Sequence, residues 1–199
     1  MIITVASFKG GVGKTTTAMH VAAYLNEKTP TVLIDGDPNR SATAWSKRSQ
    51  GGLPFKVVDE RQLAKAAREF SSMVIDTQAR PTADDLRELV EGCDLLIVPA
   101  TPDSLSLDAL MLTVNTLESF GAERFRILLT IIPPKPNRDG DEARLVLNEA
   151  GLSLFQASIR RFHAFQKATL SGRLVHEVND PNGRLGWEDY QAVGKEIEP

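Results

Sequence analysis

The chain has 199 residues, a formal net charge of −3, 42% apolar residues and one cysteine, Cys93. Its length suits one domain with a sizeable core, and a lone cysteine excludes a disulfide framework or a cysteine-based metal centre within one chain. No eighteen-residue apolar run is present to span a membrane, and the negative balance excludes a globally basic nucleic-acid binder, so any DNA contact must come from a local patch.

The first predicted element is a strand over residues 2–7, a β-branched run that starts beside Met1 and leaves no room for a leader peptide. It runs into Phe8-Lys9-Gly10-Gly11-Val12-Gly13-Lys14-Thr15-Thr16. An amphipathic helix over 14–28 follows, with Ala18, Val21, Ala22 and Leu25 at helical spacing. A strand, a glycine-rich turn and a helix let backbone N–H groups form a nest for phosphate. In such a P-loop, Gly10, Gly11, Val12, Gly13 and Thr16 line the nucleotide phosphates, Lys14 reaches the β- and γ-phosphates, and the Thr15 hydroxyl sits on Mg²⁺. The strict pattern needs glycine at position 8, where Phe8 stands, and a second lysine, Lys9, opens the loop instead. Lys9 lies at the opposite end from Lys14. From there it can donate to phosphates held by a second subunit, as an arginine finger does in trans.

A strand over 31–35 ends in Asp35-Gly36-Asp37-Pro38 and carries two carboxylates to where Mg²⁺ and the attacking water belong. A strand-end turn with solvated aspartates is the other reading of that run. A helix over 40–49, a strand over 55–58 and a helix over 60–69 lead to a strand over 72–76 that ends in Asp76. Apolar residues followed by Asp fit the Walker B carboxylate, which holds Mg²⁺ through water. Next come a helix over 82–91, a strand over 94–99 preceded by Cys93 as a small buried hydrophobe, a helix over 104–120 and a strand over 125–132. The base should be gripped after that sixth strand, from Thr130 to Pro133 and Pro134, where no Asn-Lys-x-Asp guanine signal occurs. A helix over 139–150, a weaker strand near 154–159 and helices over 162–171 and 185–197 complete the chain. This alternation predicts an α/β fold with a mainly parallel sheet and helices on both faces. Ligands then bind beyond the C-terminal strand ends.

Residues 160–173 carry Arg160, Arg161, Lys167 and Arg173 with no acidic residue, a local positive patch in a negative chain. Phe162 and Phe165 are spaced to face the core, with the charges turned outward, and a solvated helix face is the alternative to a phosphate-binding one. The last helix sets Trp187, Tyr190, Val193 and Ile197 on one side as core packing, with Glu188, Asp189, Glu196 and Glu198 on the other.

The run Lys-Gly-Gly-Val-Gly-Lys-Thr-Thr at 9–16 resembles the deviant P-loop of the ParA/MinD family of ATPases. The resemblance spans nearly the whole chain and is closest to short ParA proteins. It implies a three-layer P-loop fold over 1–199 as a single domain, with no N-terminal DNA-binding domain. It makes Lys9 the signature lysine that crosses a nucleotide-sandwich dimer. Asp37 then activates or positions water, Asp35 has a role near Mg²⁺, and the base is adenine. Pro99-Ala100-Thr101-Pro102 resembles the family's Pro-x-x-Pro loop, although a plain strand-to-helix turn fits it as well. Basic residues near Arg161 and Arg184 match positions of non-specific DNA contact. Thr77-Gln78-Ala79-Arg80 stand where many members place prolines directly after the Walker B Asp, a departure in the switch loop.

The implied function is a Mg²⁺- and ATP-dependent homodimer in the cytoplasm, associated with nucleoid DNA. A ParB-like or other adaptor stimulates hydrolysis, and plasmids, chromosomal origins or protein cargo such as carboxysomes are positioned. Two alternatives remain. One is a small-molecule ligase of the same P-loop branch, similar to dethiobiotin synthetase. The other is a MinD-like membrane regulator, which the acidic C-terminal helix disfavours.

Overall fold

The apolar runs become six strands in one parallel sheet in the computed structural model, which describes residues 1–198. The strands are β1 Ile2–Ser7, β2 Thr31–Gly36, β3 Lys56–Asp59, β4 Ser72–Ala79, β5 Leu95–Ala100 and β6 Phe125–Leu129, in the order β3-β2-β4-β1-β5-β6. The helices between them are α1 Lys14–Asn26, α2 Ser41–Arg48, α3 Leu63–Glu69, α4 Ala83–Glu91, α5 Ser104–Ser119, α6 Asp139–Glu149, α7 His163–Ser171 and α8 Gly183–Ile197. Strand β1 lies between β4 and β5, so the chain's direction across the sheet reverses beside the P-loop, where open α/β sheets bind ligands.

Alternation along each strand feeds two cores. Ile3, Val5, Leu33, Val74, Ile97 and Leu128 pack under α1, α2, α7 and α8. Ala6, Leu96, Val98, Ile127 and Leu129 pack under α4, α5 and α6 on the opposite face, where Val32, Ile34 and Met73 meet Ala66 of α3. Helix α1 differs from its amphipathic expectation. It is buried on nearly every side, because the sheet covers one flank and α8 the other. The apolar stripe of α8 is core, as expected, and Gly194 gives Tyr24 of α1 room to lie against it.

The weaker strand near 154–159 is not a strand. It meets the β6 region through isolated bridges at Ile127–Leu154 and Ile132–Arg160, with the N–H groups of Phe155 and Ile159 donating to the Ile127 and Leu129 carbonyls at 2.9 Å, and not through a continuous ladder. Between them the backbone N–H groups of Gln156 and Ala157 donate to the Glu196 carboxylate of α8, at 2.9 and 2.7 Å, so they cannot continue a ladder. The sixth strand also stops at Leu129, before Ile131 turns to φ +54°. Among the described residues no helix is long and apolar enough to cross a membrane.

Candidate functional site, a nucleotide cavity beside the P-loop

Gly13 closes the loop in a left-handed conformation, φ 85°, and Thr17 N–H donates to its carbonyl at 2.8 Å to start α1. A Cβ added at Gly10, Gly11 or Gly13 would meet nothing within 4 Å, so the glycines border open space. That space is a cavity of about 580 Å³. Gly10, Gly11, Gly13, Lys14, Thr15, Thr16, Asp37 and Thr130 all line it, eight residues that the sequence placed there. Val12 is buried, and its carbonyl accepts the Thr130 hydroxyl at 2.8 Å. Thr130 therefore braces the loop through a side chain expected to grip the base. Pro133 is in a neighbouring cleft with Lys9, outside the cavity.

Lys14 is only 8% exposed, and burial lowers its pKa against the pull of Asp76 and Asp37. The β2–β4 register sets Asp35 beside Asp76. Their environments differ. Asp35 accepts the Thr43 backbone N–H at 2.8 Å and the Thr43 hydroxyl at 2.6 Å, so its carboxylate anchors the first turn of α2. Both bonds are to Oδ2, while Oδ1 of this residue, expected near Mg²⁺, accepts the Asp37 backbone N–H at 3.3 Å. Asp76 is fully buried, and neither of its oxygens has a hydrogen-bond partner. Burial pushes its carboxyl up to about 7, with the Thr15 hydroxyl opposing, Asp35 adding, and the Lys14 charge opposing. A buried, unpartnered carboxylate beside a hydroxyl fits Mg²⁺, which takes one or two protein oxygens and completes its shell with phosphate and water. Among the described residues no three His, Cys, Asp or Glu side chains cluster as an all-protein cage, as this mode of binding allows. Thr15 and Asp76 would hold such an ion, and its charge would neutralise the nucleotide phosphates.

Asp37 is 9% exposed and faces the cavity. Its Oδ1 accepts both the backbone and side-chain N–H of Asn39, at 2.9 and 3.0 Å, which fixes the carboxyl plane. Among the described residues, three other than glycine have positive φ, namely Arg40, Arg80 and Ile131. Each follows a strand at the P-loop edge of the sheet, where stored backbone strain commonly accompanies function.

Several cavity residues were not expected. Asn39, Ser41, Arg160, Arg161, Phe162, Phe165, Gln166, Thr169 and Tyr190 line it. Only Asn39 and Ser41 had a local signal, their position just after Asp37-Pro38. Arg160 is exposed, as expected, but it is also paired. Its guanidinium donates to Asp189 at 2.7 and 3.0 Å, and its backbone N–H donates to the same carboxylate at 3.0 Å. Asp189, placed on the solvent side of α8 by sequence, is accordingly buried. Lys167 pairs with Asp180 at 2.8 Å, and Arg184 pairs with Glu188 at 2.9 Å. The five basic residues read as DNA contacts therefore do not form one uncompensated patch. Arg161 and Arg173 remain exposed, without a carboxylate partner among the described residues.

Behind the cavity, His20 stacks on Tyr190, and Tyr190 shares a hydrogen bond with Thr17 at 3.1 Å. His20 Nδ1 lies 2.7 Å from the Thr16 carbonyl, while Nε2 accepts the Val175 N–H at 3.1 Å, so the ring must be neutral. Burial lowers its pKa to about 4. The unfolded chain takes up this proton near pH 6.5, so the stability His20 contributes is complete above that pH and is lost as pH falls towards 4. Asp76 has the opposite slope, because its raised carboxyl weakens the nucleotide-free fold as pH rises from about 4 to 7. Removing it with Asp76→Asn should expose the histidine slope. Urea midpoints of that variant are expected to fall by an equivalent of about 3 kcal/mol from pH 6.5 to 4. The wild type should change less over the same range, and equal slopes would contradict the assignment.

The description "CobQ/CobB/MinD/ParA nucleotide binding domain" matches residues 3–175. "Maintenance of carboxysome distribution protein A" from Gloeobacter kilaueensis is 34% identical, over 99% of this chain and 94% of that protein. "Protein ParA" from Rhizobium radiobacter is 24% identical, over 92% of this chain and 89% of that one. Among solved structures, the ATP complex of a McdA variant from Cyanothece superposes with a TM-score of 0.74 at 19% identity, covering 97% of this chain and 96% of that one. MinD from Aquifex aeolicus gives 0.75 at 16% identity, over 100% and 97%. The P-loop, the buried Walker B carboxylate and these likenesses agree that the chain belongs to the CobQ/CobB/MinD/ParA nucleotide-binding family, as a P-loop ATPase of ParA/MinD type.

Proposed function

We propose that the protein is an ATP-driven dimerisation switch that binds DNA non-specifically and releases it after hydrolysis stimulated by an adaptor. Such a cycle would position a cargo such as a carboxysome or a plasmid. The observation that carries this reading is the location of Lys9. Lys14 already supplies a cation inside the cavity, whereas Lys9 lies outside it, in the adjoining cleft. A second cation on that outer face suits phosphates held by another copy of the chain. The cargo reading is supported by the relative named for carboxysome distribution. Arg161 and Arg173 are the candidates for phosphate contact. The MinD-like membrane alternative loses ground, since the apolar side of α8 is buried against α1.

Sedimentation and DNA retention, measured without nucleotide, with ADP and with ATP plus Mg²⁺, test the proposal. The expected result is a dimer with ATP alone, and ATP-dependent DNA retention that weakens steeply with salt. Lys9→Ala should bind ATP about as tightly as wild type and stay monomeric, because its cation acts on phosphates held by the other subunit. A Lys9→Ala protein that dimerises normally would refute the trans role, and an ATP dimer without DNA affinity would remove the DNA-binding step.

A further inference from the structure

In the single chain the Lys9 ammonium donates to Asp103 Oδ1 at 2.7 Å, across 94 residues of sequence. Asp103 is held from two other directions. It caps α5 by accepting the Ser106 N–H at 3.0 Å, and it accepts the Thr101 hydroxyl. Its carboxyl is held below the usual range, first by the Lys9 hydrogen bond and then by Thr101. The carboxylate is therefore rigid, while Lys9 is a long side chain on the outer end of the P-loop. The pair sits in the cleft between the P-loop and the start of α5, and the lysine and carboxylate side chains remain 29% and 52% exposed.

The geometry points to Asp103 as a positioning residue that parks Lys9 in cis and surrenders it to the partner's nucleotide phosphates when two chains meet. This inference rests on the trans role proposed for Lys9 and adds its regulation. The ammonium has three N–H donors, but a carboxylate fixed against it neutralises its charge and repels a phosphate approaching across an interface. The ion pair thus competes with dimerisation, and only a group as strongly charged as ATP on the other subunit displaces it. A pair this exposed is worth a factor of roughly two to five, and two must open in each symmetric dimer.

Asp103→Asn separates capping from charge, because asparagine caps a helix as well as aspartate does. In sedimentation titrations of the full chain with ATP and Mg²⁺, the dimerisation constant of Asp103→Asn is expected to tighten by roughly four- to twenty-five-fold. Its melting temperature without nucleotide should fall by no more than about 1–4 °C, the loss of one exposed pair with the cap kept, and Asp103→Ser, which also caps, should behave the same way. Combined with Lys9→Ala, the Asp103→Asn change should have no effect. Unchanged or weaker dimerisation of Asp103→Asn, with Lys9→Ala still monomeric, would overturn the latch while sparing the trans role. Normal dimerisation of Lys9→Ala alone would instead overturn the trans role itself.

Discussion

Asp37→Ala is expected to keep ATP bound and to lose about 10²–10⁴-fold in hydrolysis rate, the range set by a positioned general base. The carboxylate sits just past the C-terminal end of β2, faces the cavity, and has its plane fixed by two hydrogen bonds from Asn39. Alanine removes the acceptor for a water proton and leaves Lys14, Thr15 and the loop amides in place. Binding should therefore survive, and the ATP-bound assembly should accumulate. Asp37→Asn keeps an oxygen for the Asn39 amide but accepts a proton poorly. Turnover as low as in Asp37→Ala would assign proton acceptance, and near-normal turnover would assign orientation of water alone. Loss of ATP affinity in Asp37→Ala, measured by titration, would move Asp37 from hydrolysis to binding.

Gly172→Ala is expected to destabilise the fold by about 3 kcal/mol or more, seen as a fall in melting temperature of roughly 6–12 °C. Gly172 ends α7 at φ 69°, a conformation that costs alanine roughly 1 kcal/mol. The larger cost is contact. A Cβ there would lie 2.3 Å from the Ser49 nitrogen and 2.4 Å from the Arg48 carbonyl carbon, both backbone. The ends of α2 and α7 would have to separate. That would strain the bonds from Trp45 Nε1 to the Arg173 carbonyl at 3.1 Å and from Arg48 Nε to the Thr169 carbonyl at 2.9 Å. Both helices line the nucleotide cavity, so ATP affinity should fall with stability. Gly151→Ala is the control, since it also has positive φ, 73°, but its Cβ would meet nothing within 4 Å. Equal losses at the two positions would show that backbone strain, not the α2–α7 contact, sets the cost.

Most strands and helices were legible because burial on two faces writes continuous apolar runs, and helix faces write a 3.6-residue period. The stretch at 154–159 misled for a tertiary reason. It has strand-like residues, but Glu196, some forty positions later, takes the amides that a ladder would need. At Asp35 the sequence shows the carboxylate but not that Thr43, eight residues on in the first turn of α2, donates to it.

What the sequence determined by itself was the local chemistry. Glycine spacing, the loop cations Lys9 and Lys14, and carboxylates at strand ends depend on backbone reach and residue type within a few positions. The tertiary structure alone decided which charges remain available. Folding brought Asp189 to Arg160, Asp180 to Lys167 and Asp103 to Lys9, and left Asp76 buried without a partner. An ion pair depends on distance in space, which the pattern of residues along a chain does not encode. The second lysine of the loop is thus visible at once, while the aspartate that holds it is visible only after the chain has folded.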